Sequence, residues 1–260
     1  MSGAVQLKVT GPLAFVTLSH PGKFNAMSRV MWRQLRAAFE GIQQRSDLLC
    51  VLIQGDGGHF CAGGDISEYA SFRFEEASLH DFHENEVWGG LQAMLDCDAP
   101  IVARIDGNCM GAGLEIASCC DIRIAADSAR FSAPIARLGF PMAPREAALV
   151  MRAVGELTAR EMLLTAAVLD AQEMKQRGFL NQLVPADALC AAALARVDRI
   201  KPLGPRAARL NKQALRAIAQ IPRAQAAIDL IANAYAYAAS AEHREGVTAF
   251  IEKREPQFAR

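Results

Sequence analysis

An α/β fold organised around a largely parallel sheet is predicted by three observations. Short apolar runs bounded by turn residues recur at Cys50 to Ile53, Ile101 to Ile105 and Ile122 to Ala125, as buried parallel strands require. Helix-length sequence separates each run from the next, the β-to-α progression of layered proteins that bind ligands at the carboxyl ends of their strands. Two glycine-rich segments follow two of these runs: Phe60-Cys61-Ala62-Gly63-Gly64-Asp65-Ile66, and Gly107-Asn108-Cys109-Met110-Gly111-Ala112-Gly113-Leu114-Glu115.

The elements follow in order. Val5 to Val9 and Leu13 to Leu18 flank Thr10-Gly11-Pro12 and read as a β-hairpin. Ser28 is a candidate N-cap for a helix running to about Arg45, with Val30, Met31, Leu35, Phe39 and Ile42 on its apolar face. Ser67 to Asn85 is polar and rich in Phe, Glu and His, the mixed composition of a mobile lid. Past Asp187 strand signals stop, and Ala191 to Ile200, Pro205 to Ile218 and Ala224 to Ser240 read as helices. Residues 188–260 are therefore expected to append a helical region to a core of residues 1–187. Ile228, Leu230, Ile231, Ala234, Tyr235 and Tyr237 give that region enough apolar surface to pack against another subunit.

Composition narrows the function classes. With 260 residues, 52% hydrophobic and 22% charged, the chain can bury a large core. Lys+Arg of 28 balances Asp+Glu of 28, so no global field attracts nucleic acid. No apolar run reaches the roughly 18 residues of a membrane span. The N-terminus lacks the basic-then-apolar layout of a secretory leader. Seven cysteines without C-x-x-C spacing read as small buried hydrophobes of a reducing compartment, so a cytoplasmic location is expected. Cys61 and Cys109 lie inside the glycine segments, but no histidine stands at a recognisable partner position for a nucleophile. His80 and His83 come closest to metal-ligand spacing. Their neighbours Asp81, Glu84 and Glu86 favour a solvated helix face, and no metal is expected.

Together the glycine segments suggest a site built from backbone N–H groups. One strand–glycine–helix turn is more often a tight connection, but two in register change that reading. A helix starting at the second segment would aim free amides and its positive dipole end at developing negative charge, as a thioester enolate requires. Glu115 lies about one helical turn beyond Ala112. Its neighbours Leu114, Ile116, Ala117, Cys119 and Cys120 are apolar, so its carboxyl is expected to be buried and to act as a general acid or base.

These residues carry a resemblance. His20-Pro21-Gly22-Lys23-Phe24-Asn25-Ala26-Met27 is similar to an early N-A-L/M motif, and Ala62-Gly63-Gly64-Asp65 to an A-G-x-D motif. Asp106 to Asp121 is similar to N-G-x-x-x-G-x-G-x-E…C-D, and Glu245 to Arg254 to E-G-x-x-A-F-x-E-K-R. Over nearly its full length the chain resembles the crotonase (enoyl-CoA hydratase/isomerase) superfamily. The resemblance implies a spiral ββα core, a C-terminal helical trimerisation region, homotrimers or dimers of trimers, and acyl-CoA substrates whose coenzyme A is the sole cofactor-like group. It implies an oxyanion hole at the amides of Ala62 and Ala112. Alanine stands at 112 where glycine is usual, but at negative φ it supplies the same N–H. It also implies substrate contacts at Lys23, Ala26, Gly63, Gly64, Asp65, Ile66, Gly111 and Ile135, and at Phe250 and Lys253 of a neighbouring helix. Surface ion pairs are the competing account of the two lysines.

The resemblance breaks at one position. Hydratases of this superfamily carry a second glutamate twenty residues after the first, where this chain has Ile135 in Phe131-Ser132-Ala133-Pro134-Ile135. Isoleucine transfers no proton. The expectation is an enoyl-CoA hydratase-type lyase with Glu115 as its sole catalytic carboxylate. Isomerisation, hydrolysis or decarboxylation through the same enolate are the alternatives. An acyl-CoA-binding subunit with little turnover is the alternative outside enzymes.

Overall fold

Residues 2–219, together with 241, 245, 252, 254, 255 and 257, are described by a computed structural model. The hairpin forms as expected: β1 (Ala4–Thr10) and β2 (Leu13–Ser19) pair antiparallel. Parallel to β2 run β3 (Cys50–Gly55) and β4 (Ile101–Ile105); β5 (Asn108–Met110) starts a smaller sheet; β6 (Ile122–Ala126) returns beside β4. The smaller sheet is completed by β7 (Arg130–Ser132) and β8 (Leu169–Asp170), and the larger one by β9 (Gln182–Val184), giving the order β1-β2-β3-β4-β6-β9. A bridge between Cys61 and Cys109 ties the first glycine segment to the small sheet.

Nine labelled α-helices occur among the described residues. They are α1 (Arg29–Gln43), α2 (Glu76–Asp81), α3 (Trp88–Asp96), α4 (Ala112–Ser118), α5 (Pro144–Val154), α6 (Glu156–Thr165), α7 (Ala171–Gln176), α8 (Leu189–Ile200) and α9 (Pro205–Ile218). None is long and apolar enough to cross a membrane.

The two-residue period of the strands explains the layers. Val51, Ile53, Ile101, Ala103 and Ile105 face the larger core, while Cys50, Leu52, Val102 and Ile124 face a smaller one capped by Leu189, Ala193 and Val197 of α8. Central strands buried on both faces read as continuous apolar runs. The first two expected C-terminal helices form. α8 seals the sheet, and α9 is anchored by ion pairs from Arg216 to Asp98 (2.8 Å) and from Lys212 to Asp121 (2.7 Å). The third expected helix lies outside the described residues.

Ser28 caps α1, its Oγ accepting from Met31 N at 3.3 Å. One position on that helix departs from expectation. Val30 is exposed, whereas Trp32 is buried, because the 3.6-residue period continues the stripe through Met31, Trp32 and Leu35. The segment expected to form a lid is built from a 3-10 turn at Ile66–Ser71, α2, and a π-turn at Phe82–Val87; Phe72, at the end of the first, and Phe82, in the last, are buried in the core.

Six cysteines are buried free thiols and Cys190 is exposed. A thiol reagent should label one cysteine quickly in the native protein and all seven after denaturation. Rapid labelling of several would place the glycine segments nearer solvent than they stand here.

Candidate active site

The turn into α4 builds one wall of a cleft. Gly111 adopts φ 46°, a conformation that favours glycine, and α4 begins at Ala112. A side chain at Gly113 would meet the Cys61 carbonyl oxygen at 2.5 Å, so the two glycine segments touch backbone to backbone. The Ala112 N–H is the first amide of the helix and has no hydrogen-bond acceptor among the described residues.

Most sequence-predicted residues converge here. Ala62, Gly63, Gly64, Ile66, Gly111, Ala112, Glu115 and Ile135 line the cleft, with Tyr69 and Met142 among its apolar walls. Lys23 and Asp65 line a separate surface cleft and pair with each other at 2.7 Å. Burial opposes ionisation of Asp65, but hydrogen bonds from Lys23 and Ser67 outweigh it and hold the carboxyl below its usual range. Ala26 is buried and lines neither cleft; its carbonyl oxygen lies 2.7 Å from His20 Nδ1. Phe250 and Lys253 lie outside the described residues.

Ala62 holds a surprise. Its N–H donates to the Phe24 carbonyl at 3.0 Å, so this expected oxyanion donor is already engaged. Phe24 and Asn25 sit at φ 48° and 62°, a left-handed turn held by the Asn25 side chain, which donates to the carbonyls of Asp56 and His59 at 2.7 Å each. The two cysteines beside the site are inert. Burial pushes the Cys61 thiol up to about 12 and raises that of Cys109 well above its ordinary value.

Glu115 is buried as expected and makes no side-chain hydrogen bond among the described residues. Burial first, and then the negative charge of Glu146, raise its pKa well above the ordinary carboxyl value. Glu146 is a second carboxyl lining the same cleft, one that the sequence reading did not place there. Glu146 comes from the first turn of α5, is buried, and its Oε1 accepts from His83 Nδ1 at 2.8 Å. His83 in turn lies 3.5 Å from Arg73 Nη1, and the Arg73 guanidinium packs over the rings of Tyr69 (4.5 Å) and Phe140 (3.8 Å). The solvated-face reading of the His80/His83 stretch therefore holds for exposed His80 but fails for His83, which the π-turn swings into the cleft. In sequence, Pro144-Arg145-Glu146 looks like an ordinary acidic helix start, and nothing local marks it as cleft-lining.

A family model described as enoyl-CoA hydratase/isomerase matches residues 9–260. The chain belongs to the enoyl-CoA hydratase/isomerase family. Relatives of this family member include the 2,3-dehydroadipyl-CoA hydratase of Escherichia coli, 30% identical over 244 residues that cover 94% of this chain and 93% of that protein. The short-chain-enoyl-CoA hydratase of Clostridium acetobutylicum is 31% identical over 252 residues, covering 96% and 95%. Among solved structures, an enoyl-CoA hydratase/carnithine racemase from Magnetospirillum magneticum superposes with a TM-score of 0.92 at 33% identity, covering 98% of this chain and 95% of that one. The family assignment and the crotonase-type α/β fold agree with the expectation from the motifs.

Proposed function

We propose that this enzyme adds water across the double bond of a 2-enoyl-CoA thioester. The observation that carries the reading is a buried carboxyl free of side-chain hydrogen bonds, Glu115, in the same cleft as the unspent Ala112 amide. As water oxygen bonds to C3, the C2=C3 electron pair moves onto the thioester as an enolate. The Ala112 N–H, and the Ala62 N–H once it exchanges the Phe24 carbonyl for the substrate, stabilise that oxygen. Glu115 moves the proton that finishes at C2. The relatives named as hydratases support the same reaction.

Isomerisation is the second reading, because Ile135 leaves an apolar wall where the superfamily's hydratases carry an acid. A panel of 2-enoyl- and 3-enoyl-CoA thioesters, followed by mass spectrometry, separates the two. Hydration gives a product heavier by one water; isomerisation gives a product of unchanged mass. Release of free coenzyme A without either would sink both in favour of hydrolysis. A homotrimer or pair of trimers is the assembly we propose, and light scattering checks it.

A further inference from the structure

We infer that Glu146 is the second proton-transfer group of the cleft, supplied by α5, with His83 and Arg73 as the residues that position it. The inference rests on the enoyl-CoA reading above and divides the chemistry between two carboxyls. It begins with a constraint on His83. An arginine guanidinium can only donate, so the 3.5 Å approach of Arg73 Nη1 to His83 Nε2 is best met by the tautomer with its lone pair on Nε2. The ring proton then sits on Nδ1 and is donated to Glu146 Oε1 at 2.8 Å. Arg73 is held in place by cation–π contacts with both Tyr69 and Phe140.

The groups facing Glu146 all bear on its charge. His83 donates a hydrogen bond, the start of α5 presents its positive dipole end, and Arg73 places a cation one imidazole away. Tyr69 lines the same cleft, and Glu115 is the one acidic group opposite. Arg145, next to Glu146 on α5, is turned to Glu84 at 3.0 Å. Glu146 thus has a hydrogen-bond donor and a helix N-terminus beside it. Glu115 has burial and no donor, the surroundings of a carboxylic acid. Two carboxyls in one cleft, one held by a donor and one without, give an arrangement in which an acid and a base can share one reaction.

The step balances. Glu146 takes a proton from water as the oxygen bonds to C3, and the displaced electron pair becomes the enolate. Glu115 then gives its proton to C2, and the proton held by Glu146 passes back to Glu115 before the next turnover. Ile135 is left as an apolar wall.

The test has two arms. The first needs no substrate: the melting temperature is followed against pH. Glu115 has a raised folded pKa, so its stabilising contribution is complete below the unfolded carboxyl range and is lost as pH rises through the folded value. Wild type should show that fall; Glu115→Gln should remove it. Glu146→Gln, which deletes the opposing charge, should move it to lower pH, and an unmoved profile overturns the pairing. In the second arm, Glu146→Gln should lower kcat at least tenfold with KM little changed, and adding Ile135→Glu should recover most of the loss. His83→Asn, which keeps a donor, should retain more activity than His83→Phe. A wild type that hydrates while Glu146→Gln keeps native kcat overturns the role of Glu146 and leaves the proposed function standing. A wild type inert toward every enoyl-CoA overturns that function, and the melting profiles still decide whether the two carboxyls are coupled.

Discussion

Glu115→Gln lowers turnover of the enoyl-CoA substrate by at least about 10², because a positioned proton-transfer group contributes roughly 10²–10⁴ and the amide keeps the shape without the titrating proton. Coenzyme A affinity stays nearly unchanged, since Glu115 lines the cleft with Ile135 and Glu146 and does not line the separate cleft that holds Lys23. The same variant should melt higher than wild type as pH rises through the raised folded pKa, where the native carboxyl is forced to ionise in a buried site beside Glu146. Lower activity together with higher stability is the signature of a working buried acid. Steady-state kinetics and thermal melts on one preparation check both. A variant with near-native kcat would remove Glu115 from the mechanism, whatever its melting temperature.

Ala112→Pro should abolish measurable activity, through a different loss. Proline is well tolerated at the first position of a helix, so α4 can still form from Gly111 onward. What disappears is the amide hydrogen that the proposed mechanism gives to the thioester oxygen. Removal of one such donor costs about 10²–10³ in rate, and here the companion donor at Ala62 begins in another hydrogen bond. Ala112→Gly is the control: it keeps the N–H and should cost little. Circular dichroism and melting of the proline variant confirm that it folds. Full activity in a folded Ala112→Pro enzyme would show that the oxyanion is held elsewhere.

The strands, the capped first helix and the two glycine segments were legible because each rests on a local rule. β3 and β4 announce themselves as apolar runs, Ser28 as a cap, and Gly111 as a turn that needs positive φ. Glu115 was legible because its apolar neighbours made a buried carboxyl inescapable. Glu146 and His83 were not. They meet across 63 positions of chain, and each alone has a commonplace explanation: an acidic first turn and a polar helix. Neither periodicity nor motif spacing encodes the π-turn that rotates His83 inward, because that turn is set by packing of Phe82 and Val87 against the core. The engagement of Ala62 was likewise invisible, since it depends on which way the Phe24 carbonyl points.

That carbonyl has a consequence for ligand traffic. On the proposed oxyanion role of the Ala62 amide, the Phe24 carbonyl is an internal stand-in for the thioester oxygen, borrowed from a left-handed turn in which Phe24 is 57% exposed and its ring leans on His59 at 4.6 Å. Every incoming thioester therefore competes with a piece of the protein that is always present at full local concentration. Substrate and product are taxed alike, so affinity falls for both while the reaction equilibrium on the enzyme is untouched. On that role the Phe24 carbonyl takes back the Ala62 amide when product leaves, so that the amide is not left bare in the cleft.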